Sequence, residues 1–104
     1  KNSGTSINLA FNYGGRAEII DAINKSKSAK MTDKMLSKNL YIPDLPDPDL
    51  IIRTGGEMRL SNFLMWQSMY TELYFTKTLW PNFKIRYLNK ILSNYSDRNR
   101  KYGK

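Results

Sequence analysis

The chain has 104 residues and a net charge of +8, with 17 lysines and arginines against 9 aspartates and glutamates. It holds no cysteine and no histidine, which excludes disulfides, thiolate or imidazole metal sites, a Ser-His-Asp triad and a histidine general base. Chemistry in this chain is therefore left to carboxylates, Arg, Lys, hydroxyls and backbone.

Hydrophobic residues make up 40 % of the sequence and aromatics 12 %, enough for a modest packed core. The longest apolar runs, such as Phe63-Leu64-Met65-Trp66, fall far short of the about 20 residues that span a bilayer. Lys1-Asn2-Ser3-Gly4 opens no apolar signal sequence, so secretion has no support. The positive charge attracts anions: nucleic acid, acidic lipid or phosphorylated small molecules. Composition does not choose among them.

In chain order, Ser6 to Asn12 alternates with period two and is expected as a strand, and Asn12-Tyr13-Gly14-Gly15 as a turn. Arg16 to about Lys25 reads as a helix with Ile19, Ile20 and Ile23 on one face. Thr32 is placed to cap a short helix carrying Met35, Leu36 and Leu40. Pro43, Pro46 and Pro48 then hold the chain extended. Leu50-Ile51-Ile52 is a continuous apolar run, expected as a strand buried on both faces. Thr54-Gly55-Gly56-Glu57 breaks it, and Ser61 to Met69 resumes helical spacing. Glu72 to Phe75 fits a second short strand. Ile85, Leu88, Ile91, Leu92 and Tyr95 make an apolar stripe on a last helix, and the tail from Arg98 is basic. Strands separated by helices imply an α/β class with a mostly parallel sheet flanked by helices. Such a sheet normally has more strands than these, so the chain reads as incomplete.

The segment richest in chemistry runs from Arg53 to Gln67. It follows a strand, and in open α/β sheets the crevice at the carboxyl ends of the strands is where ligands bind. Paired glycines at Gly55 and Gly56 permit close backbone approach, a helix start favours phosphate, and Arg53 and Arg59 offer guanidinium groups for bidentate contact with phosphate oxygens. These features read as a phosphate or diphosphate cradle. Neither a Walker loop nor a dinucleotide fingerprint occurs.

Three blocks then point to one family. They are Arg53-Thr54-Gly55-Gly56-Glu57-x-Arg59-Leu60-Ser61-Asn62-Phe63-Leu64-x-Trp66-Gln67, then Tyr70-x-Glu72-Leu73-Tyr74-Phe75, then Leu79-Trp80-Pro81-x-Phe83. With Asn12-Tyr13-Gly14-Gly15-Arg16 and Asp49-Leu50-Ile51-Ile52, the chain resembles the cis-prenyltransferases, of which undecaprenyl diphosphate synthase is one. The resemblance implies condensation of isopentenyl diphosphate with an allylic diphosphate, Mg2+ as cofactor, and a homodimer formed through the C-terminal part. It also implies that these residues are the C-terminal portion of one larger domain, set in the cytoplasm with at most peripheral contact at the inner face of the membrane. A nucleic-acid partner is not expected, since the aromatics sit at core spacing rather than interleaved with basic residues. The resemblance implies that Arg53, Arg59, Leu60 and Ser61 hold isopentenyl diphosphate and that Glu72 handles the metal, with Glu57 in a supporting place. The family's catalytic aspartate, in an Asp-Gly-Asn-Gly-Arg-Trp block, has no counterpart here, so the chain alone is expected to be inactive.

Two departures from the family pattern stand out. Met58 occupies a position where some members carry histidine, and Lys101-Tyr102-Gly103 replaces the usual Arg-x-Gly near the C-terminus, with Arg100 one residue earlier. Simpler readings exist for several of these residues. Arg53 and Arg59 could be surface ion-pair partners, Ser61 a helix cap, Gly14 and Gly15 a plain turn, and Arg16 a partner for Glu18. A noncatalytic or truncated family-like subunit is the alternative function.

Overall fold

Leu50–Arg53 forms β1 and Glu72–Phe75 forms β2, and the two run parallel with Leu50 opposite Glu72 and Arg53 opposite Phe75. The computed structural model describes residues 3–98, so Arg100 and the Lys101-Tyr102-Gly103 block lie outside the described residues. Among the described residues three helices accompany the strands: α1 over Gly15–Lys25, α2 over Asp33–Asn39 and α3 over Ile85–Ser96, with a 3-10 turn at Trp80–Asn82 before α3. The mixed α/β organisation with a parallel sheet is the one expected.

Helix α2 starts where its cap dictates: Thr32 Oγ1 accepts the N–H of Met35 at 3.3 Å. It delivers Leu36 and Leu40 against Ala22 of α1, and these three buried residues form a small core that Ile19, Met31 and Trp66 pack around. The Trp66 indole N–H donates to Ser37 Oγ at 3.0 Å, tying residues 61–70 to α2. In α3, Ile91 is the buried member of the apolar stripe.

Several local expectations are corrected. Ser6–Asn12 is not a strand: among the described residues it has no strand beside it, and Ile7, Leu9 and Phe11 are 84 %, 74 % and 83 % exposed. An alternating segment becomes a strand only when a neighbour takes its backbone hydrogen bonds. On α1 the buried face is Gly15, Glu18 and Ala22 rather than Ile20 and Ile23, which are exposed. β1 is half-buried rather than buried on both faces, because among the described residues β2 is its one neighbour in a two-stranded sheet. Trp80 stacks on Phe83 with centroids 6.2 Å apart but stays largely exposed, so that corner is formed without being packed in.

One further correction matters most for function. Residues 61–70 are a succession of turns, not a helix. Ser61, Asn62 and Leu64 sit in the left-handed region at φ of 49°, 68° and 47°, which breaks helical propagation at its start. One i→i+4 bond survives, from Ser68 N–H to the Leu64 carbonyl at 3.0 Å. The parallel crossover between β1 and β2 is thus made of turns where a helix is the usual solution.

Candidate anion-binding site

Arg53 closes β1, and its guanidinium turns back over the loop that follows. Nη1 donates to the carbonyl of Arg59 and, at 2.9 Å, to Ser61 Oγ. Nε and Nη2 take no partner among the described residues. Ile51, Ile52, Arg53, Thr54, Leu60, Ser61 and Phe63 line a cleft of about 370 Å³ here. Three of the residues expected to hold an anion, Arg53, Leu60 and Ser61, therefore share one cleft at the carboxyl end of β1.

The fourth is Arg59, whose guanidinium pairs with Glu57 at 2.7 Å while both side chains stay more than half exposed. Exposed pairs of this kind are worth about 0–1 kcal/mol, so Glu57 holds Arg59 loosely beside the cleft. An incoming phosphate offers Arg59 two oxygens in the geometry a guanidinium prefers.

The glycines act differently from the expectation. Gly55 and Gly56 have φ of +94° and +88°, a conformation that side chains rarely tolerate. A Cβ on Gly55 would meet nothing within 4 Å. Their value is thus conformational, not close approach. Nor are their amides free: Gly55 N–H donates to the Thr78 carbonyl at 3.0 Å and Gly56 N–H to that of Thr76 at 2.9 Å. With no helix start at Ser61 either, the groups left to meet an anion would be the Arg53, Arg59 and Ser61 side chains, and Ser61 accepts from Arg53 rather than capping a helix.

Glu72 lies elsewhere. It opens β2 opposite Leu50, three residues before the Arg53–Phe75 pair, or about 10 Å along the strands at ~3.3 Å per residue. Its Oε2 accepts from Arg98 Nη1 at 2.7 Å. Among the described residues no group of three or more His, Cys, Asp or Glu side chains converges. Mg2+ takes oxygen ligands, commonly one or two carboxylates with phosphates and waters. A carboxylate already paired with arginine, outside any cluster of three or more such side chains among the described residues and at the far end of the sheet from Arg53, does not fit a magnesium site held by this chain alone.

Two features escaped the sequence reading. The first is Asn62. Its backbone carbonyl accepts the N–H of Gly15 at 2.7 Å, and its Oδ1 accepts the N–H of Arg16 at 2.9 Å. The second is a polar knot on Glu18, a carboxylate only 3 % exposed. It accepts from the Tyr13 hydroxyl, from the Tyr41 backbone N–H at 3.1 Å and from Gln67 Nε2 at 3.0 Å. Burial, and then the hydrogen bond to Glu18, push the Tyr13 phenol well above the ordinary tyrosine range. Arg16 does not pair with Glu18; its guanidinium is exposed. Position offered a signal for Glu18, since it stands four residues before the core residue Ala22 on the same helix face.

Comparison with known proteins decides the family. A family model described as "Putative undecaprenyl diphosphate synthase" matches residues 1–103. The chain belongs to the undecaprenyl diphosphate synthase family. An isoprenyl transferase of Thermotoga maritima is 53 % identical over 91 % of this chain and 44 % of its own length, and one of Fusobacterium nucleatum is 50 % identical over 98 % and 45 %. The chain thus spans about half the length of the curated relatives it matches. A "probable undecaprenyl diphosphate synthase" from Campylobacter jejuni superposes with a TM-score of 0.83 at 41 % identity, over 92 % of this chain and 46 % of that one. Lavandulyl diphosphate synthase from Lavandula x intermedia, solved with dimethylallyl diphosphate, gives 0.81 at 35 % identity, over 88 % and 44 %. The undecaprenyl diphosphate synthase fold expected from the motifs is the fold this chain shares.

Proposed function

We propose that the chain supplies the isopentenyl-diphosphate-binding part of a cis-prenyltransferase that builds toward undecaprenyl diphosphate. The observation that carries this reading is Arg53 at the carboxyl end of β1, bonded to Ser61 across a cleft, with Arg59 loosely held beside it. Two guanidinium groups and a hydroxyl suit a diphosphate better than a neutral ligand, since charge-assisted contacts contribute about 1.5–3 kcal/mol each.

In the reaction proposed for the whole protein, the allylic C–O bond breaks and diphosphate leaves with the bonding electrons. The isopentenyl double bond attacks that carbon, a C–C bond forms, and loss of a proton restores a double bond in cis geometry. The residues of this chain would act by positioning: Arg53, Arg59 and Ser61 fix the diphosphate end so that the double bond is presented in line. As a separate unit the chain would bind without turning over.

The remaining parts of this reading concern the whole protein. A magnesium role for Glu72 requires Arg98 to release the carboxylate and oxygens from other segments or from substrate to complete the shell. A homodimer and a cytoplasmic setting belong to the same proposal; among the described residues no helix is long and apolar enough to cross a membrane. The test is steady-state kinetics of full-length Arg59→Ala. The KM for isopentenyl diphosphate should rise by roughly tenfold or more, the value of one charge-assisted contact, and an unchanged KM would remove Arg59 from the site.

A further inference from the structure

The loop that carries Ser61 is strained and needs something to hold it. Ser61 and Asn62 are consecutive left-handed residues, with Leu64 a third, and each such residue costs of order 1–3 kcal/mol unless its surroundings impose the conformation. What imposes it is the start of α1. Gly14, the residue preceding this helix, gives it no side-chain cap, and the first N–H groups of a helix have no partner within it. Asn62 answers two of them from a distant part of the chain, Gly15 N–H with its carbonyl and Arg16 N–H with Oδ1. Asparagine suits the task because it tolerates the left-handed region and is a favoured capping side chain.

The fit is close. A Cβ on Gly15 would lie 2.7 Å from Met65 Cγ and 3.1 Å from the Asn62 carbonyl oxygen, and one on Gly14 would lie 3.0 Å from Asn62 Nδ2. The two glycines of the Asn12-Tyr13-Gly14-Gly15-Arg16 block are thus the seat into which Asn62 drops. Ser61, one residue earlier, is held with its Oγ toward Arg53.

From these contacts we propose that Asn62, seated on Gly14 and Gly15, is a positioning residue for the anion cradle: it caps α1 from outside and so fixes Ser61, and through Ser61 the guanidinium of Arg53. The proposal rests on the reading of the cradle as the isopentenyl diphosphate site. It predicts a split in kinetics that general loss of packing would not give, because in this proposal Asn62 acts through Ser61 and Arg53 of the cradle.

The experiment compares full-length Asn62→Ala, Asn62→Gly, Asn62→Asp and Arg59→Ala with the parent, measuring KM for isopentenyl diphosphate and, separately, KM for the allylic diphosphate. Asn62→Ala loses the Oδ1 bond and destabilises the left-handed turn, so KM for isopentenyl diphosphate should rise about tenfold while that for the allylic substrate holds within about twofold. Asn62→Gly keeps the backbone conformation and carbonyl, so it folds where Ala fails, and should show a smaller rise of about threefold. Asn62→Asp keeps the Oδ1 acceptor and should recover most of the loss. Parent-like KM in Asn62→Gly and Asn62→Ala, or equal rises for both substrates, overturns the positioning role. If Arg59→Ala alone raises KM, the cradle stands and the Asn62 proposal falls; if Arg59→Ala leaves KM unchanged, the cradle reading itself has failed.

Discussion

Arg53 and Ser61 meet at 2.9 Å across the loop that joins the two strands, so the last residue of β1 and the strained turn after Leu60 form one structure. Neither is placed by a helix start or by the Gly55 and Gly56 amides, which are spent on the carbonyls of Thr78 and Thr76. The site is a side-chain cradle set on a strand end, and its behaviour should follow from that.

Gly56 at φ +88° has space for a methyl group, since the atom nearest to a Cβ at that position would be Lys77 Cα at 3.9 Å. Gly56→Ala should therefore cost only the torsional strain of a left-handed alanine, about 1–2 kcal/mol. Urea denaturation of the full-length variant checks this; an unchanged midpoint would mean the turn relaxes to negative φ.

Gly15→Ala should be worse, for a steric reason. Its Cβ would sit 2.7 Å from Met65 Cγ, and it would also press on the Asn62 carbonyl oxygen, a backbone atom that cannot swing aside. A drop of about 2–3 kcal/mol in unfolding free energy is expected from overpacking, read from the same denaturation curves. Parent-like stability would show that Met65 and the Asn62 carbonyl give way to a side chain at Gly15.

How much of this was legible in the sequence follows from which forces act locally. The Thr32 cap, helix α2, β1, β2 and the α3 span follow from neighbours in the chain, and Arg53, Leu60 and Ser61 come together where the motif placed them. The turns at 61–70 were not legible, because apolar residues such as Phe63 and Trp66, three apart, keep helical spacing whether or not the backbone is helical. What decides is Asn62 docking on Gly15 and Arg16, a contact between residues 46 apart for the Arg16 bond. Ser6–Asn12 failed for a related reason: alternation states a wish for a neighbour and cannot show that one is there. Glu18 read as a partner for Arg16, whereas Tyr13, Tyr41 and Gln67 close around it.

Removing that carboxylate should be costly. Glu18→Ala strands the Tyr13 hydroxyl, the Tyr41 N–H and Gln67 Nε2, and Gln67 Oε1 is already buried without a partner among the described residues. The expected loss is about 2–3 kcal/mol, with Glu18→Gln milder because it keeps an acceptor. Thermal or urea unfolding of both variants provides the check, and equal, negligible effects would contradict the knot.

Tyr13 should make stability depend on alkaline pH. Its folded pKa is raised, first by burial and then by the bond to Glu18, while an unfolded tyrosine titrates near pH 10. Above about pH 10 the unfolded chain sheds a proton that the folded chain keeps, so the contribution is full below that pH and declines as pH rises toward the folded pKa. Tyr41, raised mainly by its hydrogen bond to Asp21, acts in the same direction. Unfolding curves between about pH 8 and 11 should fall less steeply for Tyr13→Phe than for the parent. Superimposable curves would mean Tyr13 titrates normally.

The most direct measurement is calorimetric binding of isopentenyl diphosphate to the full-length protein and to its Arg53→Ala variant. In the proposed site Arg53 would offer Nε and Nη2 to the ligand while it holds Ser61 with Nη1, so its loss should weaken binding by roughly tenfold to a hundredfold, one charge-assisted contact plus the cradle's order. Affinity unchanged in a folded Arg53→Ala protein would contradict the assignment of this cleft to the diphosphate.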